Sequence, residues 1–335
     1  ICLHSYSQER FTISGTVRVK KTGETVIGAS IRLGDAGTFS NDYGFYSISL
    51  PAGSYTIAIS AVGMLTYSQN ITLNKHITLN VTLEDEPTTL DNITITATAR
   101  TRSLSSPQMG IERLSTKEIR NIPVLLGERD VLKTVQLLPG IKAAGEGGAA
   151  DQNLILLDEA TVYNASHLLG FFSTFNSDAI KDVTVYKGGM PAQYGGRLSS
   201  VLDIKMNDGN NQDYNVSGGI GLISAKLNVE GPIQKDKSSF LITGRRTYAD
   251  MFLKLAKDSS LKNNTLYFYD LNAKLNYNIG DKDRLYLSGY FGKDVLAAGQ
   301  TFGLDWGNAT GTLRWNHIFS NKLFCVANWV WRASL

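Results

Sequence analysis

Side chains able to do chemistry are few in this sequence, and they are scattered. The four histidines, His4, His76, His167 and His317, lack the short spacings of a metal site and read as surface or hydrogen-bonded residues. Of the two cysteines, Cys2 falls in the opening stretch ICLHSYSQERF. There Ser5 and Ser7 stand three and one positions before a cut ahead of Gln8, the pattern of a secretory signal. Residues 1–7 are therefore expected to be a signal-peptide remnant, which leaves Cys325 alone and argues against a disulfide or a zinc site. Two glycine-rich stretches, AAGEGGAADQ and KGGMPAQYGGR, invite a phosphate-loop reading. That loop needs Lys-Ser/Thr after its last glycine and a helix behind it, and neither stretch offers them. They read as tight turns, where glycine tolerates positive φ. With no paired carboxylates, nucleophile or metal cluster, the expectation is a protein that is not an enzyme, with no cofactor and no metal.

One stretch stands out for its backbone rather than its side chains. LDNITITATAR, residues 90–100, alternates Ile93 and Ile95 with Thr94 and Thr96, the period of a strand. It follows the proline-broken acidic run EDEPTTLD and precedes another polar linker, TARTRSLSSPQ. A strand between two linkers has no sheet partner nearby in sequence.

The elements that surround these stretches follow from composition and pattern. The chain has 335 residues, 42% hydrophobic and 19% charged, with 32 glycines, 7 prolines and 15 tyrosines. Such length suggests two or three domains. Few charges with abundant Tyr, Thr, Asn and Gly suggest an all-β, secreted or outer-membrane protein. A net charge of +3 without like-charge blocks gives no reason to expect a nucleic-acid partner. No run of about 18 apolar residues marks a transmembrane helix.

Residues 11–84 hold short alternating runs, FTISGTVRV, GASIRL, TFSNDYGFYSISL, GSYTIAISAVG and HITLNVTLE, cut by Gly, Asn-Asp and Pro-Ala-Gly turns, as in a sandwich. Gly15-Thr-Val17, Gly28-Ala-Ser-Ile31, Asn41-Asp-Tyr-Gly-Phe45 and Leu50-Pro-Ala-Gly-Ser-Tyr55 make this unit resemble the carboxypeptidase regulatory-like domain, a small transthyretin-like sandwich. The resemblance implies a structural or docking role.

In residues 101–206, SLSSPQMGIERLSTKEIRNIP and GERDVLKTVQLLPGI read as short helical pieces between turns. Ser115 and Glu118 fit a capping box, and Val131, Leu132, Val135 and Leu138 recur at helical spacing. NLILLDEA, DAIKDVTVYKGG and SSVLDIKM read as strands. Asp130-Val-Leu-Lys-Thr134, Leu138-Pro-Gly-Ile141, Ile180-Lys-Asp-Val-Thr-Val-Tyr-Lys-Gly-Gly189, Pro191-Ala-Gln-Tyr-Gly-Gly-Arg197 and Ser199-Ser-Val-Leu-Asp-Ile204 together resemble the plug domain of TonB-dependent outer-membrane receptors. The resemblance assigns Gly188, Gly189, Pro191, Tyr194, Gly195, Gly196 and Arg197 to a plug motif. Two departures stand beside it. The Arg-Gly turn usual before the strand Asn153–Asp158 is absent, as in a shortened plug or one lacking a loop. The strand itself reads Leu156-Leu-Asp-Glu-Ala160, not the Tyr-Val-Ile-Asp-Gly of the starch-utilisation type.

From residue 207 to 335 the strands lengthen. In TLYFYDLNAKLNYNIG, Tyr267, Tyr269, Leu271, Ala273, Leu275, Tyr277 and Ile279 share one face, and Asp270, Asn272, Lys274, Asn276 and Asn278 the other. An apolar face with tyrosines at both ends fits a membrane barrel strand with its aromatic girdles. Leu285, Leu287, Phe291, Leu313 and Trp315 repeat the outward set. Short turns (GPIQKDK, GDKD, SNK) alternate with stretches that read as long loops (ADMFLKLAKDSSLKNN, KDVLAAGQTFGLDWGN). Six or seven strands are expected, where plugged transporters have about 22, so the barrel is expected to be incomplete within this sequence.

The fold class expected is thus mainly β: a transthyretin-like sandwich, an α+β plug and the first strands of a transmembrane β-barrel. The resemblance gives the lone strand a purpose, because residues 85–100 lie where the family keeps its TonB box. Asp91, Asn92, Ile93, Thr94, Ile95, Thr96 and Ala97 would add as a strand to TonB, through backbone hydrogen bonds. The alternative is an edge strand of the sandwich. The implied function is active import of a nutrient across the outer membrane, with sandwich and TonB box in the periplasm. Its partners would be TonB with its inner-membrane energising complex, outer-membrane lipid, and a small-molecule, glycan or peptide substrate. A surface lipoprotein is compatible with a glycan. A non-transporting surface receptor or adhesin is the alternative function.

Overall fold

The computed structural model describes residues 9–86, 110–115, 118–119, 129–136, 152–188, 190–255, 262–299 and 301–335. They form a mainly β chain of three bodies.

The first body is a sandwich. One sheet is built on β1 (Arg10–Val19), flanked antiparallel by β4 (Phe45–Pro51) and parallel by β7 (Ile77–Thr78) and β8 (Val81–Leu83). The other runs β3 (Ala36–Phe39), β2 (Ser30–Leu33), β5 (Gly53–Ser60), β6 (Tyr67–Leu73). Alternate residues Ile13 and Val17, Ile31 and Leu33, and Ile57 and Ile59 point between the sheets and form one apolar core. Asn41 turns the chain from β3 to β4 by accepting hydrogen bonds from the amides of Tyr43 and Phe45. Gly44 closes that turn at φ +75°, where a Cβ would lie 2.8 Å from Cβ of Thr25. Strand β6 has no counterpart among the runs read from the sequence. It is an edge strand in which only Leu73 is buried, and Gln69 breaks its apolar alternation.

The second body is a five-stranded sheet in the order β11 (Ala160–Thr161), β10 (Asn153–Leu157), β15 (Ser200–Met206), β14 (Ile180–Tyr186), β9 (Ile111–Ser115). β10 and β15 run parallel; the other pairs are antiparallel. Helix α1 (Val131–Gln136) buries Val131 and Val135 against this sheet, and the Asp130 carboxylate caps it by accepting from the Lys133 amide at 3.0 Å. A short hairpin, β12 (Ser166–His167) and β13 (Phe172–Ser173), sits beside it. Ile111–Ser115 corrects the sequence reading: the segment is not a helical piece but an edge strand paired along β14. Tertiary pairing overrides its weak local pattern. Glu118 and Ile119 are helical, and the remainder of the helix expected before Pro123 lies outside the described residues.

The third body is an antiparallel meander of seven strands, each paired to the next: β16 (Asn215–Ile220), β17 (Ser224–Gln234), β18 (Ser238–Thr247), β19 (Thr265–Asn278), β20 (Asp283–Ala298), β21 (Phe302–Ser320) and β22 (Leu323–Ser334). Helix α2 (Ala249–Leu255) lies in the long connection between β18 and β19. The polarity of this sheet is inverted. Leu271, Leu287 and Trp331 are 48%, 50% and 61% exposed, whereas Thr243, Asn272 and Lys274 are 0%, 3% and 2% exposed. The outward-facing set expected on β19 and β20 is borne out.

One expected long loop is overturned. KDVLAAGQTFGLDWGN is not a loop but the upper part of the β20–β21 hairpin, paired from Lys293 opposite Gly307 to Ala298 opposite Phe302. The glycines at 299, 303 and 307 suggest a loop by composition, yet cross-strand pairing carries the ladder through them. A strand of 16 residues spans roughly 50 Å at the usual rise, about 40 Å along the membrane normal at a barrel strand's tilt of roughly 40°, against an apolar band of ~25 Å. The hairpin therefore reaches well past such a band.

Candidate functional site

The expected TonB-binding residues Asp91, Asn92, Ile93, Thr94, Ile95, Thr96 and Ala97 lie outside the described residues. So do Gly189 of the plug motif and the stretch Gly145–Asp151, where the Arg-Gly turn was sought. The remaining motif residues form the connection from β14 to β15. The Pro191 carbonyl accepts from the Tyr194 amide at 3.0 Å, and Gly196 takes φ +83°. Tyr194 turns inward: its ring lies 5.2 Å from that of Tyr186, and its hydroxyl donates to Asp203 at 2.9 Å. Gly188, Gly195 and Arg197 gather nothing comparable. The Arg197 guanidinium donates to its neighbouring carbonyl, that of Gly196, at 3.5 Å.

The dense chemistry lies elsewhere, where the plug sheet meets the polar face of the seven-stranded wall. Lys274 projects from β19 into the plug and places Nζ 3.0 Å from both Asp158 and Asp208. Those two contacts are ion pairs, and the ammonium donates a hydrogen bond to the Met206 carbonyl at 2.8 Å. Asp208 also holds Lys181 at 2.8 Å. Glu159 accepts from Lys205 at 2.6 Å and faces Arg314 of β21 at 3.4 Å. The Arg314 guanidinium lies over the ring of Tyr286, 4.2 Å from its centroid. A second cluster stands further along β19, around Asp270. His167 bonds Asp294 of β20 through Nδ1 at 2.7 Å, and its Nε2 lies 3.3 Å from Asp270 of β19, an ion-pair contact without hydrogen-bond geometry. Arg245 of β18 bridges Asp270 and the Ser173 carbonyl, at 2.6 and 2.7 Å.

These partners set the plug-side charges. Burial resists ionisation of Glu159, but Lys205 and Arg314 overcome it and hold the carboxyl down at about 2. Burial likewise opposes Asp208, and Lys181 with Lys274 keeps it well below the usual carboxylate range. Asp182 is the reverse case: burial pushes it up to about 6 despite Arg113. Burial works against protonating His167, yet Asp270 and Asp294 raise it above its ordinary value. Lys181, Lys205, Lys274, Arg245 and Arg314 each stand within 3.4 Å of a carboxylate, which offsets the cost of withdrawing these charges from water. Among the described residues, no group of three or more His, Cys, Asp or Glu side chains is placed to hold a metal ion.

None of these plug–wall residues could be singled out from sequence spacing, because these ion-paired partners on plug and wall stand 66 (Lys274 and Asp208) to 155 (Arg314 and Glu159) positions apart. One signal was present: Lys274 and Asp270 alternate with Leu271 and Leu275, charges regularly placed on the face opposite the apolar one.

With this geometry in view, comparison with known proteins adds one assignment. Residues 13–95 match the CarboxypepD_reg-like domain family. The match covers the sandwich and runs past β8 into the linker. A search of curated proteins finds no match. Solved structures with similarity include the siderophore receptor PirA from Acinetobacter baumannii, at 17% identity and a TM-score of 0.48 over 68% of this chain and 40% of that one. The ferric enterobactin receptor of Pseudomonas aeruginosa gives 14% and 0.45 over 68% and 40%. The copper transporter OprC gives 13% and 0.42 over 62% and 34%. The chain matches well under half the length of each.

Proposed function

We propose that this chain acts in TonB-dependent import across the outer membrane. What supports the reading is the inverted wall: an apolar outer face suited to lipid, and a charged inner face occupied by a folded body. A membrane strand needs its apolar side outward and every backbone group paired. An inner body that must later move needs something else. Lys274 and Arg314 hold it by ion pairs, and Arg245 by a hydrogen bond to the Ser173 carbonyl; buried pairs contribute little net stability because desolvation offsets attraction. Water entering the interface can solvate the separated charges, so displacement meets a lower barrier than separation of an apolar core. Substrate binds from the long-connection end, TonB pulls on the segment Asp91–Ala97, and the plug yields along its charged contacts. No bond is made or broken in a substrate. The nutrient class is left open between small molecule, peptide and glycan, and a surface lipoprotein belongs only with the last.

The test is direct. The periplasmic domain of TonB should bind the full-length receptor, and Ile93→Pro should reduce that binding at least tenfold, since proline removes a backbone donor and fixes φ. Ile93→Val should bind as the parent does. Equal binding by the proline variant would overturn the assignment and favour a passive surface receptor.

A further inference from the structure

The sandwich is not simply tethered beside the other bodies; it is docked across the short-turn end of the wall. Four of its residues, in segments 22–25 and 42–47, make polar contacts with the other two bodies. The Glu24 carboxylate accepts from the Asp208 amide at 2.6 Å, and Thr25 lies 3.1 Å from Lys181. Asp42 pairs with Arg113 at 3.0 Å. Ser47 donates to the Asn321 carbonyl at 2.6 Å, in the short turn between β21 and β22. Phe45 stacks on Phe324 of β22, with ring centroids 5.2 Å apart. The contacts thus reach both plug and wall.

All three bodies meet at Glu159. Its carboxylate takes Lys205 of the plug, Arg314 of the wall and the Tyr43 hydroxyl of the sandwich, the last at 3.1 Å. Tyr43 in turn lies under the same Arg314, 4.8 Å from its guanidinium carbon. The backbone beneath this carboxylate is strained. Asp158 and Glu159 form the β10–β11 turn at φ +44° and +70°, the left-handed region that two-residue hairpins fill with Asn and Gly. A glutamate there is conformationally unfavourable, so its placement must be explained by what its side chain holds.

We infer that the sandwich is a clasp over the short-turn mouth, pinned at Glu159, that keeps the plug seated and must lift before the plug can move. The inference rests on the import reading. It also gives the linker between sandwich and plug a mechanical role, because a pull applied at Asp91–Ala97 acts on both bodies at once.

The test uses the full-length receptor, with Cys325→Ser as background. Hydrogen exchange is followed at residues 22–25 and 42–47, and potassium chloride conductance in planar bilayers is followed as urea is added on the sandwich side. Glu159→Gly should speed exchange at those segments about tenfold, leave β5 unchanged, and bring conductance on at lower urea. Relief of backbone strain alone would move the urea threshold the opposite way, so the sign separates a clasp from a merely structural turn. Tyr43→Phe, which removes only the sandwich's hydroxyl, should shift both readouts in the same direction by less. Joining Ser47→Cys to Asn321→Cys with a short bismaleimide should hold the pore closed at urea concentrations that open the parent. Unchanged exchange in Glu159→Gly, or opening of the cross-linked receptor at the parent's threshold, overturns the clasp. Absence of conductance in every variant overturns the import reading instead, and exchange still decides the clasp.

Discussion

The sandwich core and the plug–wall interface are both buried, yet they are built from opposite materials. Between the sandwich sheets lie Ile13, Val17, Ile31, Leu33, Ile57 and Ile59, an apolar cluster without a charged group. Between plug and wall lie Asp158, Asp208, Lys274, Arg314, Glu159, His167 and Asp270. Apolar burial stabilises by about 25 cal/mol per Å² and reforms water contacts only at that loss. Ion pairs contribute little net, but leaving one partner behind is severe. The first surface is suited to staying closed, and the second to opening as a unit. Burial alone does not say which surfaces of a protein are permanent; the chemistry of what is buried does.

The sharpest way to break that comparison is to remove one charge. Lys274→Leu leaves Asp158 and Asp208 buried without their shared partner and should destabilise plug seating by about 3–5 kcal/mol. Adding Asp158→Leu should restore a substantial part of it, since the second change removes an unpaired charge. Proteolytic access to residues 152–208 along a urea series measures both. A double variant no better seated than the single one would mean that Lys274 acts by packing its stem, not by charge. The same truncation logic in the sandwich has no such rescue. Ile57→Ala should lower the stability of the isolated sandwich, residues 9–86, by about 2–5 kcal/mol, read from its denaturation midpoint. A loss under about 1 kcal/mol would show that the two sheets do not depend on their shared core.

How far the sequence announced these two regions also differs. The sandwich was legible because period-two alternation survives in FTISGTV and GSYTIAIS, whose alternate residues are the core. The wall was legible from β19, where seven outward residues alternate with five polar ones. Strand β6 was not, because Gln69 interrupts the apolar set of Tyr67, Ile71 and Leu73 on its inner face, so the alternation is broken. The upper β20–β21 hairpin was hidden by its glycines, which cross-strand pairing tolerates but propensity does not favour. The plug–wall contacts were beyond reach for another reason. Glu159 finds Arg314, and His167 finds Asp294, only after the chain has folded, and no local rule links positions so distant.

The subtlest difference between the two regions is sensitivity to pH, since an apolar core has nothing to titrate. His167 supplies the case. Facing it are Asp294 on β20, Asp270 on β19 and, through Asp270, Arg245 on β18, while its ring stacks on Phe268 with centroids 4.1 Å apart. Asp270 and Asp294 raise its folded value above the ordinary 6.5, against burial and Arg245. Below pH 6.5 the histidine is protonated whether the plug is seated or free, and its contribution to seating is complete. As pH climbs, the free form loses its proton first, so the advantage of the seated form shrinks. It is gone once pH passes the raised value. The effect is bounded by what a hydrogen bond to a charged group contributes, about 1.5–3 kcal/mol. The urea midpoint for plug release should therefore fall between pH 5.5 and pH 8.5 in the parent. It should fall less in His167→Gln, which keeps a donor for Asp294 but cannot titrate. The Ile57 core should show no such slope from its own residues. Equal slopes in parent and His167→Gln would assign the pH response to other groups, Asp182 first among them because burial already holds it at about 6.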